Sequence, residues 1–473
     1  MFKRLLVKFF IIFLAASVAG CTSIGLSDLF SGYAQQMQAS RSAQLSGDFI
    51  KAEASIAVIN QAHNNYGLSQ LERGRLQFLA NNWQASQKSF ELAYHEIQKQ
   101  EAAAKIQLSK GVKKLGAVMS NDNAIAYEIP RYEQSMLHSY QALNYLYQGS
   151  IEGALVEVRR ANLVQERALK DNQDELYDAQ EKMASKGVSN ERLNSSYPSM
   201  NNTIGDLKNG FQNAYTFYLS GLLYEAAKQP NDAYIDYKRA IEIFPNNTYL
   251  QQDLLRLATK LGMYEDLAIF NKKFGKYRAK ADHNTGQVVV IYEQGIVNAK
   301  DEARLNLPLF NIDSDMKFFT FALPVYRGGL AALNPLSIDI EGRNYQSQEI
   351  VRLQSLAAKD LQDNLAGLVT RQAIRLVAKE QVRKKMSKAG GDVGNILASL
   401  YNVASEKADT RSWSSLPDNV QLMKMSVPVG KQQLAFSVAG KKQMIDVDIK
   451  SKGVTLINVT SMGQYVAYQT IKL

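Results

Sequence analysis

A spacing of 34 residues between equivalent small and aromatic side chains most restricts the fold of this chain. Within the unit that starts at Ala214, the matching side chains stand at positions 8, 11, 20, 24, 27 and 32: Gly221, Tyr224, Ala233, Tyr237, Ala240 and Pro245. Small side chains at positions 8 and 20 let two antiparallel helices approach closely, and the proline ends the second helix. The spacing therefore predicts a helix pair of the tetratricopeptide type.

Weaker units of the same kind flank this one, and the helical pattern runs from residue 33 to about residue 280. The unit with Gly74 at position 8 has Phe90 at position 24 and Ala93 at position 27. Residues 101–132 and 165–212 do not match the consensus, and the second stretch is predicted as a polar helix to about Ser185 followed by a loop. A generic antiparallel helical bundle is the alternative interpretation.

Stacked helix pairs of this kind leave a concave groove that binds peptides or protein segments. The side chains of Tyr215, Tyr218 and Leu222 lie on the first helix of the best unit. We expect them either to line the groove or, as the alternative, to divide between core and surface.

From residue 286 onward the pattern changes to β-branched and aromatic strands, after a polar linker at 276–285. A long helix is predicted from about Ser347 to Lys388, broken at residues 389–391, with a second helix at 393–407. Five strand-like runs follow, at 420–427, 432–438, 442–449, 453–459 and 464–472, with tight turns typical of antiparallel hairpins. The sequence thus predicts an α+β multidomain protein: an all-α tetratricopeptide-like repeat array at 33–280, then an α+β domain at 286–473 with antiparallel strands and a long helix.

The N-terminus has the pattern of a bacterial lipoprotein signal. Basic residues near the start precede a short apolar run, Phe9 to Ala16, and the run ends in Val18-Ala19-Gly20-Cys21, a lipobox. We expect residues 1–20 to be removed, Cys21 to be lipidated and residues 21–32 to act as a tether. An ordinary secretory signal with a chance cysteine is the alternative. Because Thr22, not Asp, follows the cysteine, the expected location is the outer membrane, facing the periplasm.

Composition restricts the chemistry. Cys21 is the single cysteine, which excludes internal disulfides and cysteine-based catalysis or metal binding. Removal of residues 1–20 lowers the net charge from +10 to +7 (52 Lys and Arg against 45 Asp and Glu), too little to indicate a nucleic-acid partner. Histidines at 63, 95, 138 and 283 have no metal-like or triad-like spacing. We therefore expect no enzyme activity, no cofactor and no metal.

Several stretches resemble a little-characterised family of large Gram-negative tetratricopeptide-repeat lipoproteins of unknown function. The stretches that carry the resemblance lie in both halves of the chain: Tyr132-Glu133, 143–146, 154–160, 218–221, 232–238 and 288–293. Members of that family are often encoded near LpoB-type activators of penicillin-binding proteins. The resemblance implies a role in cell-envelope biogenesis, with peptidoglycan synthesis as the candidate process.

Two hypotheses of function follow. The first is a membrane-anchored adaptor or scaffold that binds an envelope protein through its repeats. The alternative is an envelope enzyme or ligand-binding protein with a site in the C-terminal half, where the carboxylates available are Glu293, Asp313, Asp315, Asp339 and Glu341.

Overall fold

The computed structural model describes residues 32–110, 122–277, 284–310, 316–340, 342–405, 407–438 and 440–473. Helices fill the N-terminal half and end before the first strand. In chain order they are α1 (Tyr33–Gln36), α2 (Gln38–Leu45), α3 (Phe49–Ala54), α4 (Tyr66–Leu79), α5 (Trp83–Lys110), α6 (Arg131–Tyr147), α7 (Ile151–Ala184), α8 (Asn190–Ser196), α9 (Asn201–Ile204), α10 (Ala214–Ala226), α11 (Pro230–Ile243), α12 (Thr248–Leu261) and α13 (Tyr264–Phe274). Neighbours pack as pairs: α2 with α3, α4 with α5, α6 with α7, α10 with α11 and α12 with α13.

The predicted small positions are where the paired helices touch. A Cβ atom added to Gly221 would lie 2.5 Å from Cε1 of Tyr237, and one added to Gly74 would lie 2.8 Å from Cδ1 of Phe90. In both units the glycine is at position 8 and the aromatic ring at position 24. The same contact therefore recurs in α4–α5 and α10–α11, which confirms the helical-repeat prediction.

The C-terminal half contains eleven strands within the described residues: β1 (Thr285–Gln294), β2 (Asp301–Phe310), β3 (Met316–Val325), β4 (Ser337–Ile340), β5 (Arg343–Gln346), β6 (Gln348–Arg352), β7 (Asn419–Pro428), β8 (Gly430–Val438), β9 (Lys441–Ile449), β10 (Val454–Met462) and β11 (Tyr465–Lys472). They form a five-stranded sheet in the order β11-β10-β1-β7-β6, a four-stranded sheet β5-β4-β8-β9 and the hairpin β2–β3. All pairs are antiparallel except β1 with β10, which the hairpin pattern of the sequence did not indicate.

The five-stranded sheet is covered on both faces. Along β1, Val288, Val290 and Tyr292 lie in one apolar cluster with residues of the four-stranded sheet. The alternate residues Val289 and Ile291 belong to the large cluster that includes the repeat helices. Strong burial on both faces explains why β1 is a continuous β-branched run in the sequence.

One long helix, α14 (Leu353–Ser405), replaces the two helices predicted here. It begins six residues later than predicted because Gln348–Arg352 forms β6. The predicted break at residues 389–391 is wrong, since Gly390 and Gly391 lie inside the helix; glycine costs only about 1 kcal/mol per helical residue and does not by itself end a helix. Neither α14 nor another helix in the described ranges is long and apolar enough to cross a bilayer.

Helix α14 contacts the β2–β3 hairpin within its length, and the chain contacts the hairpin again after the helix ends. Gln372 donates to the carbonyl of Ala322 on β3, while the N–H of Ala408, beyond the helix, donates to Glu302 of the adjacent strand β2 over 2.8 Å. A straight helix from Gln372 to residue 405 would measure about 50 Å, which is more than these contacts can span. The axis of α14 therefore bends between the two contacts.

Candidate functional site

The first helices of the repeat pairs face the chain's own C-terminal half. Arg41 of α2 donates to the carbonyl of Val297, Arg75 of α4 pairs with Glu293, and Asp253 of α12 pairs with Lys424. Helix α6 contacts Glu293 of strand β1 through Tyr140, and α10 packs on β6. The first helices line the concave side of such an array. The C-terminal half of the same chain therefore fills the predicted groove.

The groove segment, Ala408–Asp418, lies between the repeat helices and the sheet and joins α14 to β7. At its centre, Trp413 is fully buried, with its ring 5.7 Å from that of Phe90 and 6.0 Å from that of Tyr140, measured between centroids. Its indole N–H donates to the hydroxyl of Ser415 over 3.0 Å. An aromatic anchor of this size contributes a large part of the burial in such a contact.

Glu72 of α4 holds the main chain next to this tryptophan. Its carboxylate accepts the N–H of Ser414 at 2.6 Å, the hydroxyl of Ser414 at 2.8 Å and the N–H of Ser415 at 3.0 Å. The hydroxyl of Tyr33 donates to the same carboxylate over 3.3 Å. Burial raises the pKa of Glu72 above its ordinary value, because these donors are neutral and compensate only part of the desolvation.

Glu133 of α6 makes the second carboxylate contact to the groove segment. It accepts the N–H of Trp413 at 2.9 Å and the hydroxyls of Tyr127 and Tyr132 at 3.0 and 3.1 Å. Complete burial raises the pKa of Glu133 to about 7, against the hydrogen bonds and the charge of Lys300, which lower it. Three consecutive N–H groups of the segment, at residues 413–415, are thus bound by two buried carboxylates.

Basic and amide side chains bind the carbonyl groups of the same segment. Arg41 donates to the carbonyl of Ser414 over 2.8 Å, Gln44 to that of Ser415 over 3.1 Å and Lys300 to that of Arg411 over 2.9 Å. The segment is thus held by its main chain and by one deep aromatic anchor, in the way that a peptide is bound in a groove. In this molecule the peptide is part of the same chain.

Of the two candidate carboxylates that the structure describes, Glu293 and Asp339, it is Glu293, near the end of β1, that lies at this interface. It pairs with Arg75 and accepts the hydroxyl of Tyr140 over 2.8 Å. The guanidinium carbon of Arg75 also lies 4.4 Å from the ring centre of Tyr140. The Nε and Nη1 atoms of Arg75 and the hydroxyl of Tyr215 have no hydrogen-bond partner among the described residues. Buried water is expected next to these polar atoms. The arrangement is that of a buried ion pair.

The predicted groove residues are placed in the core. Tyr215 and Tyr218 are fully buried and Leu222 is 2% exposed, because the sheet covers the first helix of their unit. The Tyr218 hydroxyl donates to Asp253 over 3.1 Å and its ring stacks on that of Tyr237. The expectation that these three side chains line an open groove is therefore corrected: the structure shows them as core.

The remaining candidate residues are dispersed or lie outside the described residues. Asp339 is exposed and accepts from Asn344, and His138 shares a buried hydrogen bond with Glu157. Within the described ranges, no group of three or more His, Cys, Asp or Glu residues is placed to hold a metal ion. Outside the described residues lie the lipobox residues Val18, Ala19, Gly20 and Cys21, the carboxylates Asp313, Asp315 and Glu341, and His283.

The sequence interpretation missed the two carboxylates that bind the groove segment. A signal for one of them was present: Glu72 and Arg75 interrupt the apolar stripe of α4 that contains Leu68, Leu71 and Leu79. Charged residues on a buried helix face require partners elsewhere in the fold. The identity of those partners, 342 and 218 residues away, had no local signal.

Comparison with known proteins gives no family assignment. No protein-family model matches the chain, and no curated protein matches it. Two solved structures are similar, a crystal structure of MamA (TM-score 0.28, 12% identity, covering 50% of this chain and 93% of that one) and a second crystal structure of MamA protein (TM-score 0.27, 12% identity, 52% and 96%). At these scores the likeness supports no conclusion about this chain beyond what its own helices and strands show.

Proposed function

We propose that this chain is a lipid-anchored scaffold of the bacterial envelope that binds a protein partner on its outer surface and not in the concave groove. The observation that carries the proposal is a group of exposed apolar side chains at the paired ends of β2 and β3. Phe310, Met316 and Phe318 are 49%, 55% and 73% exposed there. Contiguous apolar side chains on a surface indicate a site of protein contact.

The arrangement of these three side chains supports a role in partner binding. Phe310 and Met316 are directly opposite each other in the hairpin, and Phe318 follows two residues later on the same face. Next to Phe310 is a cavity of about 360 Å³, lined on α14 by Ile374 and Val377. An apolar side chain of a partner could enter this cavity while the hairpin face covers the surrounding surface.

The envelope part of the proposal is supported by the sequence. Lipidation of Cys21 would hold the protein at the outer membrane, facing the periplasm. The resemblance to tetratricopeptide-repeat lipoproteins makes a peptidoglycan synthase or its activator the candidate partner. The alternative is an enzyme or ligand-binding protein with a site in the C-terminal half. Of its candidate carboxylates that the structure describes, Glu293 is buried against Arg75 and Asp339 is a surface residue, and neither contact favours such a site.

Site-specific photo-crosslinking tests the partner contact. A photoreactive phenylalanine analogue at position 318 should give a reproducible crosslinked product with a cell-wall synthase or its activator. The same analogue at Tyr264, which is 80% exposed on α13, is the matched control and should give none. Equal products at both positions, or none at position 318, would contradict the hairpin as the contact site.

The anchor is tested separately. We predict that Cys21→Ala abolishes incorporation of a palmitate analogue and releases the protein from the membrane fraction, because no other thiol can carry the lipid. The circular dichroism spectrum should stay the same, because the substitution lies before the first described helix. Label that persists in the Cys21→Ala variant would refute lipidation at this position.

A further inference from the structure

The 327–335 loop, between β3 and β4, exposes an uninterrupted apolar run. Leu330-Ala331-Ala332-Leu333 is exposed throughout, with Gly328-Gly329 before it and Asn334-Pro335 after it. The two leucine side chains are 38% and 41% exposed. Four consecutive exposed apolar residues are uncommon on a protein surface unless they serve a contact.

Buried polar side chains hold the backbone of this loop in place. The amide of Gln294 donates to the carbonyl of Ala332 over 2.9 Å, and its oxygen accepts the N–H of Asn334 over 3.0 Å. Arg352 donates to the carbonyl of Ala331 over 2.8 Å. Gln294 and Arg352 are themselves buried, each 8% exposed. The polar backbone is thus bound inward, and the leucine side chains are left at the surface of a fixed loop.

The loop lies at the same end of the sheet as the start of the helical array. Gln294 is the last residue of β1, and Ile296, two residues later, packs on an apolar cluster with Met37 and Tyr33 of the first helices. Arg41 also binds the carbonyl of Val297 over 2.8 Å. From Tyr33 back to Cys21 is a distance of at most about 40 Å of extended chain.

We propose that the 327–335 loop rests on the lipid bilayer to which the chain is anchored, with Leu330 and Leu333 inserted at the boundary between headgroups and acyl chains. This inference rests on the proposed lipidation of Cys21, whose short tether keeps the bilayer within reach of this end of the sheet. The charged residue of the loop, Arg327, pairs with Asp301 over 2.6 Å. The contact is therefore apolar and does not require anionic lipid.

Depth-dependent quenching tests the contact. The lipidated full-length protein carrying Leu333→Cys is labelled with a fluorophore and reconstituted in phosphatidylcholine vesicles that contain a doxyl-labelled lipid. The lipid occupies the thiol of Cys21, so the label enters only at position 333. The matched control is Tyr264→Cys, an exposed position on the last repeat helix. We expect at least about twofold stronger quenching at position 333 than at position 264.

Two results would overturn the loop contact. The first is equal quenching at both positions in protein that carries the palmitate label. The second is a label at position 333 that is protected in cells but not quenched in vesicles, which would mean that a protein covers the loop. Failure of the proposed lipidation is recognised independently, because the protein would then not take up palmitate at Cys21.

Discussion

Two of the contacts that join the repeat helices to the C-terminal half neutralise buried carboxylates in different ways. Glu293 of β1 has a cation, Arg75, as its direct partner. Glu72 and Glu133, which bind the groove segment, accept hydrogen bonds from N–H and hydroxyl groups instead. Neutral donors stabilise a buried charge less than a guanidinium does, and burial raises the pKa of both Glu72 and Glu133.

The difference separates a contact that holds the two halves together from one that depends on the pH. Removing one partner of the Arg75–Glu293 pair leaves the other buried and unpaired. The groove segment is bound in part by Glu133, whose pKa burial raises to about 7. The ion pair therefore holds the sheet on the repeat helices, while the hydrogen bonds to residues 413–415 depend on the pH.

The largest effect is expected from breaking the ion pair. Arg75→Met should lower the free energy of unfolding by about 3–5 kcal/mol, because Glu293 is left as an uncompensated buried charge. Urea denaturation followed by tryptophan fluorescence measures it. Arg75→Met combined with Glu293→Gln should recover most of the loss, because the second change removes the charge and keeps an acceptor for Tyr140. A single variant as stable as the parent would contradict the role of the pair.

A smaller effect is expected from Glu72→Gln. The N–H groups of Ser414 and Ser415 bind different oxygens of Glu72. In glutamine one of these oxygens is replaced by an NH2 group, which cannot accept, so one donor loses its partner at a cost of about 1–3 kcal/mol. Trypsin should then cut more rapidly after Arg411, in the loosened groove segment. Glu53→Gln is the matched control, because Glu53 makes a partly exposed salt bridge to Arg73 and should change the stability by less than about 1 kcal/mol. Equal rates of cleavage in both variants would show that Glu72 does not hold the segment.

The sequence was sufficient for the features that depend on local spacing. The glycine and aromatic positions of the repeat predicted the contacts of Gly221 with Tyr237 and of Gly74 with Phe90, and the β-branched run predicted β1. The filling of the groove could not be predicted, because the groove segment has no periodic pattern and its hydrogen-bond partners on α2, α4 and α6 lie about 280 to 370 residues away in the chain. The central residues of the segment, Trp413-Ser414-Ser415, have the composition of an ordinary loop. Nothing in that sequence alone indicates the carboxylates that bind it.

The smallest effect is expected in the pH dependence of the stability. A carboxyl group whose pKa is raised on folding stabilises the protein fully below its unfolded pKa, and this contribution is lost as the pH rises through the folded pKa. For Glu133, with a folded pKa of about 7, the loss between pH 6 and pH 8 should be on the order of 1 kcal/mol. Asp360, whose pKa burial also raises to about 7, adds to the loss in the parent protein. The test is therefore the difference between the parent and Glu133→Gln in urea denaturation at each pH. The decline should be shallower in the variant, since glutamine does not titrate, and parallel curves would show that Glu133 is not a pH-sensitive part of the groove contact.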